Sequence, residues 1–225
     1  MKYAIAFFIG LLLGASLFLL ALYHNPFAAA PAMSPLSVSD QRLLDFSFSA
    51  VPAESIAFTN DGESRVKPHP DQIADLWEPA IRQTNVLVAI LTDGRGAPAG
   101  VGVKFSSESE ETRLLTSEAL VNSVWQIYLP ESGTLFIDQT ENLWGYFRNI
   151  VLPARWNSAD SWRGAWYGVT TVGPGALGTA RVTGGSGRYA GLTSEAVESW
   201  RAQAYSALRG PVAMTGHLTI AVSPP

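Results

Sequence analysis

The residues from Val182 to Gly191, VTGGSGRYAG, place four glycines in ten positions. Gly185-Ser186-Gly187-Arg188-Tyr189-Ala190 fits the dinucleotide fingerprint G-x-G-x-x-G/A, and the two readings of it lead to unrelated folds. A dinucleotide site needs a buried parallel strand before the glycines and a helix after them whose N-terminus faces the pyrophosphate. A corner between antiparallel strands needs only backbone that tolerates φ > 0. The preceding segment, ALGTARVT, alternates small and polar residues, whereas a parallel strand covered on both faces is continuously apolar. No series of βα units surrounds it. These features argue against a nucleotide.

The segment that follows, TSEAVESWRAQAYSALRGP, supports two readings. As a helix it has a Ser194 cap, early Glu195 and Glu198, a late Arg209 and a Gly210-Pro211 stop, with Val197, Trp200, Ala204 and Leu208 on one face. As a strand it puts Ala196, Glu198, Trp200, Ala202 and Ala204 on one face. Local signals alone lean towards helix.

Short apolar runs between turn residues fill the chain after Thr84. VLVAILT, VGVKF, RLLTSEALVN, SVWQIYL, GTLFID, NLWGYFRNIVL, SWRGAWYGVTTV and MTGHLTIAV all read as strands, and Asp93-Gly94 as a hairpin loop. Gly145, Gly164, Gly168 and Gly216 fall inside these expected strands, and Gly178 inside ALGTARVT, which also reads as a strand. Strand glycines beside large aromatics fit a small curved barrel better than a flat sheet.

GTARVTGGSGRYAG, then a candidate strand, a YSALRG turn and VAMTGHLTIAV together resemble the C-terminal part of the allene oxide cyclase and dirigent-type barrels. In that family a G-T-G-R/K-F-x-G corner joins two strands, and the last two strands form a hairpin. Gly185, Gly187, Arg188, Tyr189 and Gly191 match the corner, and the likeness covers roughly the last fifty residues. The resemblance implies that residues 194–209 are strand and that Gly185, Gly187 and Gly191 serve as a structural turn. None of the family's catalytic or ligand residues is recognisable, so none is carried over.

The other end of the chain sets its relation to the membrane. Tyr3 to Tyr23 is an uncharged run containing twelve Leu, Ile or Phe. On the insertion scale these favour a helix in the bilayer by about 4–7 kcal/mol, and about 20 apolar residues cross the hydrocarbon. Lys2 is the only charge in the first 39 residues. The positive-inside rule leaves it in the cytoplasm and sends the rest across. The expectation is a single-pass anchor in the inner (cytoplasmic) membrane, with residues 3–23 in the lipid bilayer and a periplasmic or otherwise extracytoplasmic domain. The competing reading is a cleaved signal peptide, with a small-residue site after Ala32 in AAAPAMS.

The chain divides into an anchor (1–24), an Ala/Pro linker (25–39), an extension with one strand and one helix (40–84) and a β-barrel domain (85–225). In the extension, RLLDFSFSAV alternates as a strand, and DQIADLWEPAIRQ places Ile73, Leu76, Trp77 and Ile81 on one helical face. The fold class is mainly β: a small antiparallel barrel preceded by a transmembrane helix and one short helix.

Chemistry is sparse. The formal charge is −4 with no basic stripe, which argues against nucleic acid. There is no Cys, which excludes thiol catalysis and Cys-ligated zinc. His24, His69 and His217 have no metal-ligand spacing and read as surface residues. Ser186 is not a nucleophile elbow, because Arg188 replaces the second glycine of G-x-S-x-G. No cofactor or metal is expected.

Aromatic residues are the strongest pointer. Trp125, Tyr128, Trp144, Tyr146, Trp156, Trp162, Trp166, Tyr167 and Trp200 lie in or beside expected strands. They either fill the core or line a pocket for an apolar ligand. The expected pocket residues are Trp125, Trp144, Tyr146, Arg148, Trp166, Glu198 and Trp200, with Trp144, Tyr146, Arg148 and Ile150 on one strand face. Glu198 would be a lone acid on an apolar face, needing a partner or a raised pKa; Arg148 and Arg201 are candidate partners that the sequence does not place. The favoured function is non-enzymatic binding of a small apolar or lipid-like ligand near the membrane. The alternatives are a cofactor-independent cyclase or isomerase and a structural subunit of an envelope complex. No protein partner is identified by the sequence.

Overall fold

The computed structural model describes residues 2–23, 42–51, 56–58 and 84–222. Helix α1 spans Lys2–Tyr23 and is long and apolar enough to cross a membrane. The helix expected over 71–83 lies outside the described residues.

Eleven strands follow: β1 (Arg42–Ser49), β2 (Ile56–Phe58), β3 (Thr84–Asp93), β4 (Pro98–Glu108), β5 (Leu120–Leu129), β6 (Gly133–Asn142), β7 (Ser161–Val169), β8 (Thr171–Gly173), β9 (Ala180–Gly185), β10 (Ser194–Ser206) and β11 (Gly210–Val222). Hydrogen-bonded neighbours run β1–β11–β10–β9–β6–β5–β4–β3. Strand β3 then returns to β1 through Phe46↔Asp93 and Ser47↔Thr92. Every pairing is antiparallel, and the eight strands close into a barrel. β2 pairs with the other half of the same β3 edge, Ile56↔Val88 to Phe58↔Val86.

Residues 42–49 thus form a stave of the barrel rather than a strand of a separate extension, and the barrel starts well before residue 85. Residues 194–206 are strand, not helix, because each side has a partner: β11 on one edge, and β9 then β7 on the other. Tertiary pairing overrides the local helix signals here.

One expected strand is helical. Residues Trp144–Trp156 form α2, α-helical at both ends with a π-helical middle at Phe147–Val151. The alternation Trp144, Tyr146, Arg148, Ile150 is real, but Tyr146, Ile150 and Ala154 also recur at helical spacing. Ile150 and Ala154 are buried, and Tyr146 packs against the core. Asn142 starts the helix by accepting the Trp144 N–H at 3.0 Å, and Pro153 sits where the last α-helical turn begins. Gly145 therefore lies in α2, and Gly178 in the turn before β9 at φ 76°. Residues 114–116 are a 3₁₀ turn rather than strand, and β5 runs unbroken through Asn122 and Ser123.

The glycine motif makes a corner. After β9, a 3₁₀ turn at Gly187–Tyr189 leads into β10, with φ 60° at Gly187 and 71° at Gly191. The Arg188 N–H donates to the Ser132 carbonyl at 2.8 Å and the Ser186 N–H to the Thr134 carbonyl at 3.0 Å. No helix follows the glycines, so no helix N-terminus faces them. At Gly185 the constraint is space, since a Cβ would run into the Thr134 carbonyl.

Large rings fill the barrel centre. Phe48 packs edge-on against Trp125 (centroids 4.9 Å apart) and Trp200 (5.2 Å). Gly216 lies under the Phe48 ring, and Gly102 faces Trp125, whose ring carbon would stand 2.7 Å from an added Cβ. Small residues on one wall make room for rings from the other, which is how a narrow barrel reaches native packing density.

On the outside, three register rows cross β3, β4, β5 and β6: Ile90–Val101–Tyr128–Thr134, Val88–Val103–Gln126–Phe136 and Val86–Phe105–Val124–Asp138. Most of these outward positions are apolar.

Candidate functional site

The seven expected ligand residues separate into two groups. Trp125, Glu198 and Trp200 are buried inside the barrel. Trp144, Tyr146, Arg148 and Trp166 line a cleft outside it.

The interior group centres on an ion cluster. Strand β10 aims the Glu198 carboxylate across the barrel at Lys104 of β4. Lys104 Nζ lies 2.7 Å from Glu198 Oε1 and 2.7 Å from Glu141 Oε2. Trp125 Nε1 donates to Glu198 Oε2 at 2.8 Å, and Gln139 Nε2 donates to the same oxygen. Ser123 Oγ donates to Glu141 Oε2 at 2.7 Å and Thr170 Oγ1 to Glu141 Oε1 at 3.1 Å. Thr171 Oγ1 donates to Gln139 Oε1 at 3.2 Å and accepts the Glu198 N–H at 2.8 Å. The ammonium also sits 5.6 Å from the ring centroids of Trp125 and Trp200, within cation–π range.

Two carboxylates share one ammonium in a dry environment, which fixes the direction in which Glu198 and Lys104 shift. Burial raises the Glu198 pKa, and the Glu141 charge raises it further, while Lys104 and the Trp125 hydrogen bond pull the other way. Burial pulls Lys104 down, but Glu141 and Glu198 outweigh it, and its pKa ends above the ordinary lysine value. The cluster is thus biased towards holding protons.

The partner of Glu198 is Lys104, not Arg148 or Arg201. Arg201 points outward from β10, its guanidinium 5.7 Å from the Tyr167 ring centroid. Lys104, Glu141 and Gln139 were missed in the sequence. The available signal was VGVKF itself: Gly102 and Lys104 share a strand face opposite Val101, Val103 and Phe105.

The exterior group borders a cleft of about 1290 Å³ between α2, β7–β8 and the loop from β4 to β5. Trp144, Tyr146 and Arg148 come from α2, and Trp166 from β7. Tyr146 stacks at a tilt on Trp166 (6.1 Å) and edge-on to Tyr205 (6.0 Å). The Trp144 indole N–H is buried without an acceptor. Glu108, Glu110, Glu111 and Glu118 form an acidic lip.

Thr170 and Thr171 belong to the cleft lining and to the ion cluster at once. The chain crosses at Thr170 from its pairing with β10 to its pairing with β6. Its N–H donates to the Glu198 carbonyl (3.1 Å), and its carbonyl accepts the Asn142 N–H (2.7 Å). These two threonines form a single layer between cleft and cluster. Glu198, Glu141 and Lys104 are buried behind it.

No family model matches the chain, and no curated protein matches it. Among solved structures it is similar to a pterocarpan synthase dirigent protein, at 10% identity and a TM-score of 0.35. That alignment covers 82% of this chain and 86% of the other. The barrel described above stands on its own strand pairings.

Proposed function

We propose that this protein is a membrane-tethered barrel that binds a small, largely apolar molecule in the cleft between α2 and β7–β8, without transforming it. The observation that carries this reading is the meeting of Trp144, Tyr146, Arg148 and Trp166 on one cleft, while the barrel interior is occupied by its own rings. Aromatic walls with a few polar groups suit a ligand with a flat or apolar body. Helix α1 supplies the tether, with Lys2 on the cytoplasmic side and the barrel across the membrane.

Native mass spectrometry of the detergent-extracted full chain tests this. The wild type carries a non-covalent adduct of defined mass, and the Tyr146→Ala/Trp166→Ala variant loses it. A wild type that carries none, or a folded variant that keeps its adduct, overturns the reading.

A second reading, a cofactor-independent cyclase or isomerase, draws on Glu198. A carboxylic acid with a raised pKa is a proton donor in waiting, and it lies behind a layer of two threonines. Catalysis would require Thr170 and Thr171 to part. Non-enzymatic binding requires no such motion and is preferred.

A further inference from the structure

We propose that a groove on the outer face of β1, β11 and β10 binds the carboxylate of a small organic acid, at a site separate from the cleft. The groove encloses about 730 Å³ and shares no lining residue with the cleft. Its volume lies within the ~300–1,000 Å³ of small-molecule sites.

Side-chain donors converge there from three strands. Ser49, Thr215 and Arg201 stand directly opposite one another in one register row across β1, β11 and β10. Residues so paired have Cβ atoms about 4.5–5.5 Å apart. His217 is the next groove-lining residue along β11. Gln203 is the extra residue of a β-bulge in β10, a device that re-aims a side chain. None of these five side chains donates to an acceptor among the described residues. Ser49 Oγ accepts the Val51 N–H at 3.1 Å, which leaves its own proton for the groove. The Ser47 and Thr92 hydroxyls, by contrast, bond each other at 2.6 Å and form wall rather than donors.

Charge selects the ligand. No Asp, Glu or Lys is among the described residues lining the groove, and Arg201 forms no salt bridge among the described residues. Its guanidinium is held 5.7 Å from the Tyr167 ring centroid, a stacking that orders the fork without neutralising it. Burial and then Arg201 lower the His217 pKa, with Asp45 opposing, so at neutral pH His217 is uncharged and donates a single N–H. The groove thus carries one fixed positive charge. A monoanion matches it, and the planar fork of the arginine matches a carboxylate, whose remaining lone pairs fall to Thr215 and its neighbours. Ile90 and Val212 flank the site at 61% and 47% exposure, which suits an acid with an apolar body.

Fluorine NMR of para-fluorobenzoate with the full chain in detergent at neutral pH tests this. The wild type shifts and broadens the signal saturably. Arg201→Gln, with an unchanged circular dichroism spectrum, weakens binding at least tenfold, and Thr215→Val weakens it independently. Arg181→Gln, which changes an exposed arginine on β9, leaves it intact. The matching benzamide, the same shape without the charge, binds at least tenfold more weakly. Displacement of the probe by octanoate supports the site with a fatty acid as its source; a probe that octanoate leaves in place supports it with a compact, ring-bearing acid. No saturable binding, a folded Arg201→Gln variant with wild-type affinity, or phenyl phosphate binding tenfold tighter than the benzoate overturns the proposal. The cleft contributes no residue to the groove, so a failure here does not bear on the cleft.

Discussion

Lys104 and Glu198 meet across the full width of the barrel, 2.7 Å apart, from positions 94 residues distant in sequence. In the ring of eight strands, β4 and β10 stand opposite each other. The ion pair is a strut between opposite walls, with Glu141 of β6 as a second foot. Every cluster hydrogen bond described above joins different strands or reaches the Thr170–Thr171 crossing, so the cluster reports on closure of the whole barrel.

Removing the ammonium leaves two buried carboxylates with no counter-charge. Lys104→Met is expected to cost about 3–5 kcal/mol of stability. Glu198→Gln leaves a balanced Lys104–Glu141 pair and costs far less. Denaturant melts of both variants check this. Equal losses would mean that the charge balance is unimportant.

The pH dependence follows from the direction of the Glu198 shift. Its folded pKa lies above the unfolded value of 4.5, so its stabilising contribution is complete below pH 4.5 and is lost as pH rises through the folded value. Lys104, also raised, adds a loss only above its ordinary 10.5. His217 runs the other way: burial, then Arg201, lowers its pKa, so its contribution is lost as pH falls below the ordinary 6.5. Subtracting the Glu198→Gln melting curve cancels His217. The difference should show the wild type losing stability relative to the variant as pH rises above 4.5. Parallel curves would contradict the shift.

Ring packing at the barrel centre makes a paired prediction. Gly216→Val pushes side-chain atoms into Phe48 and should cost about 1–3 kcal/mol by overpacking. Phe48→Leu relieves that overlap, so the double variant should be more stable than the sum of the two losses implies. Strict additivity in thermal melts would show that the two sites do not touch.

At the corner, Gly187 has φ 60°, and the Ser132 carbonyl oxygen lies 2.6 Å from where a Cβ would sit. Gly187→Val is expected to cost about 1–3 kcal/mol. A melting temperature equal to wild type would show that the corner tolerates a side chain there.

The barrel was legible because β5, β6 and β11 alternate with their apolar side inward and strand glycines lie beside large aromatics, whereas the strand after the glycine corner was read only from the resemblance, against local helix signals. Glu198 stood out because a strand placed it on an apolar face beside Trp200. Its partner did not, because β4 is inverted: Val101, Val103 and Phe105 face out, while Gly102 and Lys104 face in. Alternation alone assigns such a lysine to solvent. Only the opposing wall, with Trp125 needing the space at Gly102 and Glu198 needing a cation, turns the strand over. The same inversion leaves the outer face apolar. Helix α2 was misread because Trp144–Ile150 satisfies both periods, and burial of Ile150 and Ala154 at helical spacing goes with the helix.

An experimental structure of the full chain, extracted from membranes with whatever it carries, tests the central claim most directly. Non-protein density should lie in the cleft against Trp144 and Trp166, with Phe48, Trp125 and Trp200 still in mutual contact at the barrel centre. Density between those rings, or a loaded protein whose cleft is empty, would contradict the account.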